Sequence, residues 1–98
     1  RRMNKYELAV VVNAKLEDEE RAAVVDNVKA LIERFGGTVT NVDDWGKKRL
    51  AYEIQKMKEA FYYFVTFESD SECPNEVEKR IRIMEPVIRY LCVKSEAE

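Results

Sequence analysis

The sequence predicts an α+β sandwich, in which one four-stranded antiparallel sheet carries two helices on a single face. Three observations lead there. Period-two alternation recurs in four segments, helical periodicity recurs in two, and their order along the 98 residues is βαββαβ. Two right-handed βαβ-type crossovers in so short a chain bring both helices to one side of the sheet, because neither apolar stripe can be buried otherwise.

Tyr6 to Val12 is the first strand, with Tyr6, Leu8, Val10 and Val12 on one face and Glu7, Ala9 and Val11 on the other. Glu17-Asp18-Glu19-Glu20 opens a helix, where carboxylates complement the positive end of the helix dipole. Val25, Val28, Ile32 and Phe35 form its stripe, with Val24 and Leu31 flanking, and Gly36-Gly37 ends it. Thr38 to Ile54 reads as a long strand whose alternation breaks near Asp43–Gly46, which predicts a bulge or bend. Gln55 to Ala60 is expected to be a polar loop carrying Lys56 and Lys58. Phe61 to Phe67 is the third strand, with Phe61, Tyr63, Val65 and Phe67 on one face. Ser69-Asp70-Ser71 offers caps for a second helix, and Pro74 suits its first turn. Cys73, Val77, Ile81 and Met84 make its stripe, and Pro86 is expected to stop it. Val87 to Val93 is the last strand. This is the split βαβ, or ferredoxin-like, arrangement, with one domain over 3–94 and a disordered tail expected over 95–98.

Composition narrows the function. Hydrophobic residues make up 46% and charged residues 37%, an ordinary globular balance. The net charge is −2 and the pI about 5.3, which argues against non-specific nucleic-acid binding by this chain alone and leaves room for one basic face. There is no histidine, hence neither the commonest general base nor the commonest metal ligand. Cys73 and Cys92 are widely separated and read as reduced cytosolic thiols. No stretch reads as a membrane span or a secretory signal. Neither a catalytic site, a metal, a cofactor nor a small-molecule substrate is expected.

The sheet face away from the helices would carry Ala9, Val11, Tyr62 and Phe64. The last strand is apolar on both sides, so its register stays open. If Arg89 points outward, Leu91 and Val93 join this face, and Ile88, Tyr90 and Cys92 turn to the core. An apolar face of this kind marks an interface, and Val11, Tyr62, Phe64, Leu91 and Val93 are its candidate residues for a protein partner.

Cations cluster in Gly46-Lys47-Lys48-Arg49, and Lys56, Lys58, Lys79, Arg80, Arg82, Arg89 and Lys94 follow along the chain. Three consecutive cations at the resumption of a strand repel one another unless an anion offsets them, and phosphate is the first candidate. Leu50, Tyr52 and Ile54 are expected to anchor that strand, with Lys47, Lys48 and Arg49 facing outward.

These residues resemble the bacterial small-subunit ribosomal protein S-six family over Met3 to Lys94. The chain starts Met3-Asn4-Lys5-Tyr6-Glu7, as the family does. Gly46, Lys48, Arg49, Leu50, Ala51, Tyr52 and Ile54 match its signature, and Ile83 to Lys94 is similar to its helix-to-strand ending. Glu53 departs from it where many members carry proline, and Gln55 where a basic or small polar residue is common. The resemblance implies a cytoplasmic, ribosome-associated protein. It would bind the central domain of small-subunit ribosomal RNA together with the small basic ribosomal protein S-eighteen, which would account for the acidic net charge. It also implies that Lys5, Lys48, Arg49, Arg82, Arg89 and Lys94 face RNA or the partner; local charge adds Lys47 and Lys56.

Other readings remain. Phe64-Val65-Thr66-Phe67 is similar to the end of an RRM signature, with Tyr62 and Phe64 as stacking aromatics, but the glycines and leading cation of that signature are missing and Val11 cannot stack a base. A small enzyme of the acylphosphatase kind would need a Gly-rich phosphate loop, which is lacking. A dimerisation or regulatory module would use the open sheet face.

Overall fold

The computed structural model describes residues 3–95. The elements are β1 (Asn4–Asn13), α1 (Asp18–Arg34), β2 (Thr38–Ile54), β3 (Met57–Ser69), α2 (Cys73–Ile81) and β4 (Val87–Lys94). The sheet order is β2-β3-β1-β4, with every neighbouring pair antiparallel. This is the expected βαββαβ sandwich.

Cross-strand partners share a face, so the registers sort the side chains. Toward the helices stand Tyr6 beside Phe67, Leu8 beside Val65 and Val10 beside Tyr63. Val24, Val28 and Ile32 of α1 and Val77 and Ile81 of α2 close over them, all in one buried cluster. Tyr6 and Phe67 stack with ring centroids 5.5 Å apart. Burial of each such side chain contributes about 1.5–3 kcal/mol. The Glu17 N–H donates to Glu20 Oε1 at 3.0 Å at the head of α1, and Gly36 takes φ +91° just past its end. Asp70 Oδ1 accepts from the N–H groups of Glu72 and Cys73 at 3.1 Å each, which caps α2 as the Ser69–Ser71 cluster suggests.

The register of β4 is now fixed. Arg89 lies opposite Val11, Leu91 opposite Ala9 and Val93 opposite Glu7, so these three share the face away from the helices. Tyr90 and Cys92 pack on the core.

Three expectations are corrected. The segment 55–60 is not a loop. Only Gln55 and Lys56 turn, both at positive φ (51° and 65°), as a two-residue type I′ hairpin requires. Met57 to Ala60 are strand, and Met57 and Ala60 are buried. Such turns normally announce themselves by Asn-Gly or Asp-Gly, and neither is present here. Second, α2 stops at Ile81, well before Pro86; Met84 reaches the core from the turn beyond the helix. Third, Val11 lies on the face away from the helices but is only 8% exposed, because that face is covered at this point. Of the expected tail 95–98, residues 96–98 lie outside the described residues; the Ser95 N–H donates to the Lys5 carbonyl at 2.8 Å. Among the described residues no helix is long and apolar enough to cross a membrane.

Candidate nucleic-acid interface

The site is built by irregularities in β2. Its ladder to β3 steps from Asp44 opposite Tyr63 directly to Gly46 opposite Tyr62, which leaves Trp45 as the extra residue of a bulge. Asp44 Oδ1 accepts from the Gly46 N–H at 2.8 Å, and Gly46 takes φ +76°, a conformation that costs a side-chain-bearing residue about 1–2 kcal/mol. Trp45 is thereby placed against Phe64, with centroids 4.6 Å apart, on the face away from the helices.

Beyond the bulge, Lys47 pairs with Phe61, Lys48 with Ala60 and Arg49 with Glu59. Lys47 therefore stands on the helix side, with its Nζ 5.6 Å from the Phe61 centroid. The ion pairs among the described residues are Arg21–Asp18, Lys29–Asp26 and Lys79–Glu76; Lys47, Lys48 and Arg49 enter none of them, although Glu59 stands opposite Arg49 in the ladder. All three are exposed.

The rest of β2 explains the burial of Val11. From Arg49 opposite Glu59 to Ile54 opposite Met57, five steps along β2 meet two along β3. The surplus chain lies over the sheet face away from the helices. Leu50, Ala51, Tyr52 and Ile54 surround a cleft of about 100 Å³ together with Val11, Tyr62 and Arg89. The Arg89 guanidinium donates to the Tyr52 hydroxyl at 2.8 Å and lies 5.3 Å from its ring centroid. Thus Leu50, Tyr52 and Ile54 do anchor the segment, but onto the face opposite the main core, and Tyr52 keeps 60% of its surface exposed.

The expected cations do not form one patch. Lys47, Lys48, Arg49 and the turn residue Lys56 share the distal half of the β2–β3 hairpin. Arg89 joins it through Tyr52. Lys5 lies on the same sheet face as Arg89 but six residues of β1 away from Arg89's row, about 20 Å. Lys94 pairs with Tyr6 and so belongs to the helix side. Arg82 follows α2 and lines a groove of about 300 Å³ with Asn75, Glu78, Lys79 and Tyr90.

Next to the hairpin, the apolar face keeps Leu91 62% and Val93 44% exposed, in rows with Ala9, Phe64 and Glu7. Trp45, 55% exposed, adds the largest ring on that face. No periodicity marks Trp45 in the sequence, because it falls where the alternation breaks; an aromatic followed by glycine in a polar stretch is its one local signal. Arg21 is likewise unmarked in the sequence; its guanidinium sits 3.7 Å from the Phe61 centroid and donates to the Tyr63 hydroxyl at 3.3 Å and the Leu16 carbonyl at 3.0 Å. The hydrogen bond to Tyr63 raises its pKa further above the ordinary arginine value.

Burial pushes the Cys92 thiol up to about 12 and raises the Cys73 thiol as well, so both stay protonated at neutral pH. Among the described residues no cluster of His, Cys, Asp or Glu could hold a metal ion. What the arrangement can do is bind: exposed cations on a folded-back hairpin offer donors suited to phosphate, beside an apolar face that can bury protein surface.

A family model described as Ribosomal protein S6 matches residues 5–94. The small ribosomal subunit protein bS6 of Clostridium botulinum (strain 657 / Type Ba4) is 43% identical over 94 residues, covering 96% of this chain and 100% of the relative. Its counterpart in Clostridium kluyveri is 42% identical, covering 96% and 99%. Among solved structures, 30S ribosomal protein S6 from Thermotoga maritima is similar with a TM-score of 0.91 at 29% identity, over 96% of this chain and 89% of that one.

Proposed function

This chain belongs to the ribosomal protein S6 family, structural and non-catalytic constituents of the small ribosomal subunit, and from that premise we propose that it binds the central domain of small-subunit ribosomal RNA jointly with ribosomal protein S-eighteen. Residues 3–94 act as one RNA-binding domain in the cytoplasm, associated with the ribosome. The observation that carries this reading is the run Lys47, Lys48 and Arg49, which enters no ion pair among the described residues and lies on a hairpin folded against an exposed apolar face.

The mechanism is positioning. Lys48 and Arg49, with Lys47 and Lys56 beside them, pin phosphates of a folded junction; an arginine fork takes two phosphate oxygens at once. Phe64, Leu91 and Val93, with Tyr62 at the hairpin edge and Trp45 above Phe64, receive the protein partner. Lys5, Arg82 and Lys94 lie apart from the hairpin and would reach other segments of the RNA or the partner. At net charge −2 the chain alone has little long-range pull on RNA, and a basic partner supplies it.

The test is a binding titration of a central-domain RNA fragment with this chain alone, with ribosomal protein S-eighteen alone, and with both. The expected result is tight binding by the pair only, with log K falling linearly against log salt. Tight binding of short single strands by this chain alone would favour the RRM-like reading. Against that alternative, Phe64 is already engaged by Trp45, and Tyr62 lies beside Val11 and Tyr52. A tight homodimer in sedimentation would favour a dimerisation module.

A further inference from the structure

Arg89 has the residue type and exposure of a phosphate ligand, but its surroundings assign it another task. It stands opposite Val11 on the outer strand, in the row that continues through Tyr62 to Gly46. One of its N–H groups is committed to the Tyr52 hydroxyl at 2.8 Å, and the ring it serves is 37 residues away in sequence. The segment carrying that ring has no regular ladder to hold it, because of the surplus residues between Arg49 and Ile54. Between its ladder pairs at Arg49 and Ile54 it is held by contacts with the sheet face: the apolar packing of Leu50 and Ile54 around Val11, and the Arg89–Tyr52 pair at the rim. Arg49 is the last ladder residue before the surplus chain, three residues from Tyr52, so pinning Tyr52 within about 11 Å of it steadies the strand end that carries Lys48 and Arg49. A cation held in place loses less conformational freedom on meeting phosphate, which strengthens binding without adding a contact.

We infer that Arg89 is a positioning residue: through the Tyr52 hydroxyl and ring it holds the distal half of β2 on the sheet, so that Lys48 and Arg49 meet phosphate from a fixed hairpin while Arg89 itself does not. This deepens the RNA-binding reading above and rests on it.

The test uses Arg89→Met, Tyr52→Leu and the double variant, each combined with ribosomal protein S-eighteen and the central-domain RNA fragment across a salt series. Each single variant should weaken binding about three- to tenfold, the range a single hydrogen-bonded contact supports. The double variant should be no weaker than the weaker single, and the salt slope should stay that of the unaltered chain, since no phosphate contact is removed. Amide exchange at residues 50–54 of the free chain should accelerate in both single variants, while the thermal midpoint holds, because Val11, Met57 and Ala60 lie outside the main core cluster. A salt slope about one unit shallower for Arg89→Met, with Tyr52→Leu silent, would make Arg89 a phosphate ligand and overturn the inference. Unchanged exchange at 50–54 would overturn it as well, whatever the RNA result. If the unaltered pair fails to bind the RNA, the functional reading falls instead, and the exchange data still report separately on whether the latch exists.

Discussion

Trp45 lies against Phe64, ring centroids 4.6 Å apart and planes inclined at 56°, because the bulge before Gly46 ejects it from the β2 ladder onto the face away from the helices. It is the only tryptophan in the chain, and more than half of its surface is exposed. Its emission therefore reports on that face alone. Docking of the protein partner there should shift the emission to the blue, as water leaves the indole. An unshifted spectrum at saturating partner would place the docking surface elsewhere.

Among the described residues, Lys48 and Arg49 meet no carboxylate within ion-pair distance. Replacing both by alanine should weaken RNA binding by the pair and make the salt slope shallower by about two units, near one per lost phosphate contact. Alanine at Lys94, opposite Tyr6 and thus at the other end of the sheet from the hairpin tip, should have a smaller effect on that same RNA segment. A salt titration of the three proteins decides between these outcomes.

Phe67 is fully buried in the central strand β3 and stacks on Tyr6. Phe67→Ala should cost about 3–5 kcal/mol of stability through lost burial and the cavity left behind. Urea unfolding followed by circular dichroism would measure this. A loss below about 1 kcal/mol would contradict the packing described here.

The thiols give a pH signature. In the folded chain burial pushes the Cys92 thiol up to about 12, from an ordinary 9.0. The raised value favours the protonated, folded form, so this contribution is complete below about pH 9 and is lost as pH climbs from 9 through 12. Cys92→Ala should flatten part of the alkaline decline in the urea midpoint. At pH 8 the folded protein should react slowly with a thiol reagent at both Cys73 and Cys92, and quickly once unfolded, because the thiolate is the nucleophile.

The architecture was readable because each strand and helix carries its own period. Tyr6 to Val12 and Phe61 to Phe67 alternate cleanly, and Val28 and Ile32 repeat at helical spacing, so the order βαββαβ follows from local pattern. The break at Asp43–Gly46 was readable for the same reason, since a bulge interrupts a period. Less of the candidate site was readable. The cation run stood out, but its neighbours did not. Lys5, Arg82 and Lys94 look like companions of Lys48 in a one-dimensional list, yet the ladders put Lys94 on the helix side and Lys5 at the far end of the sheet. The turn at Gln55-Lys56 hid because its residues are not those that usually accept positive φ.

Alternating hydrophobicity thus assigned the residues of Tyr6 to Val12 and of Phe61 to Phe67 to the faces of their strands, since side-chain direction is set by the backbone every second residue. It could not assign what covers that face. Val11 reads as an exposed interface residue from its own strand and is buried because β2, after gaining surplus residues beyond Arg49, crosses to it and is tied down by Arg89. That decision belongs to the tertiary structure, because it depends on where separate ladders lose register and on a hydrogen bond between residues that no local pattern connects.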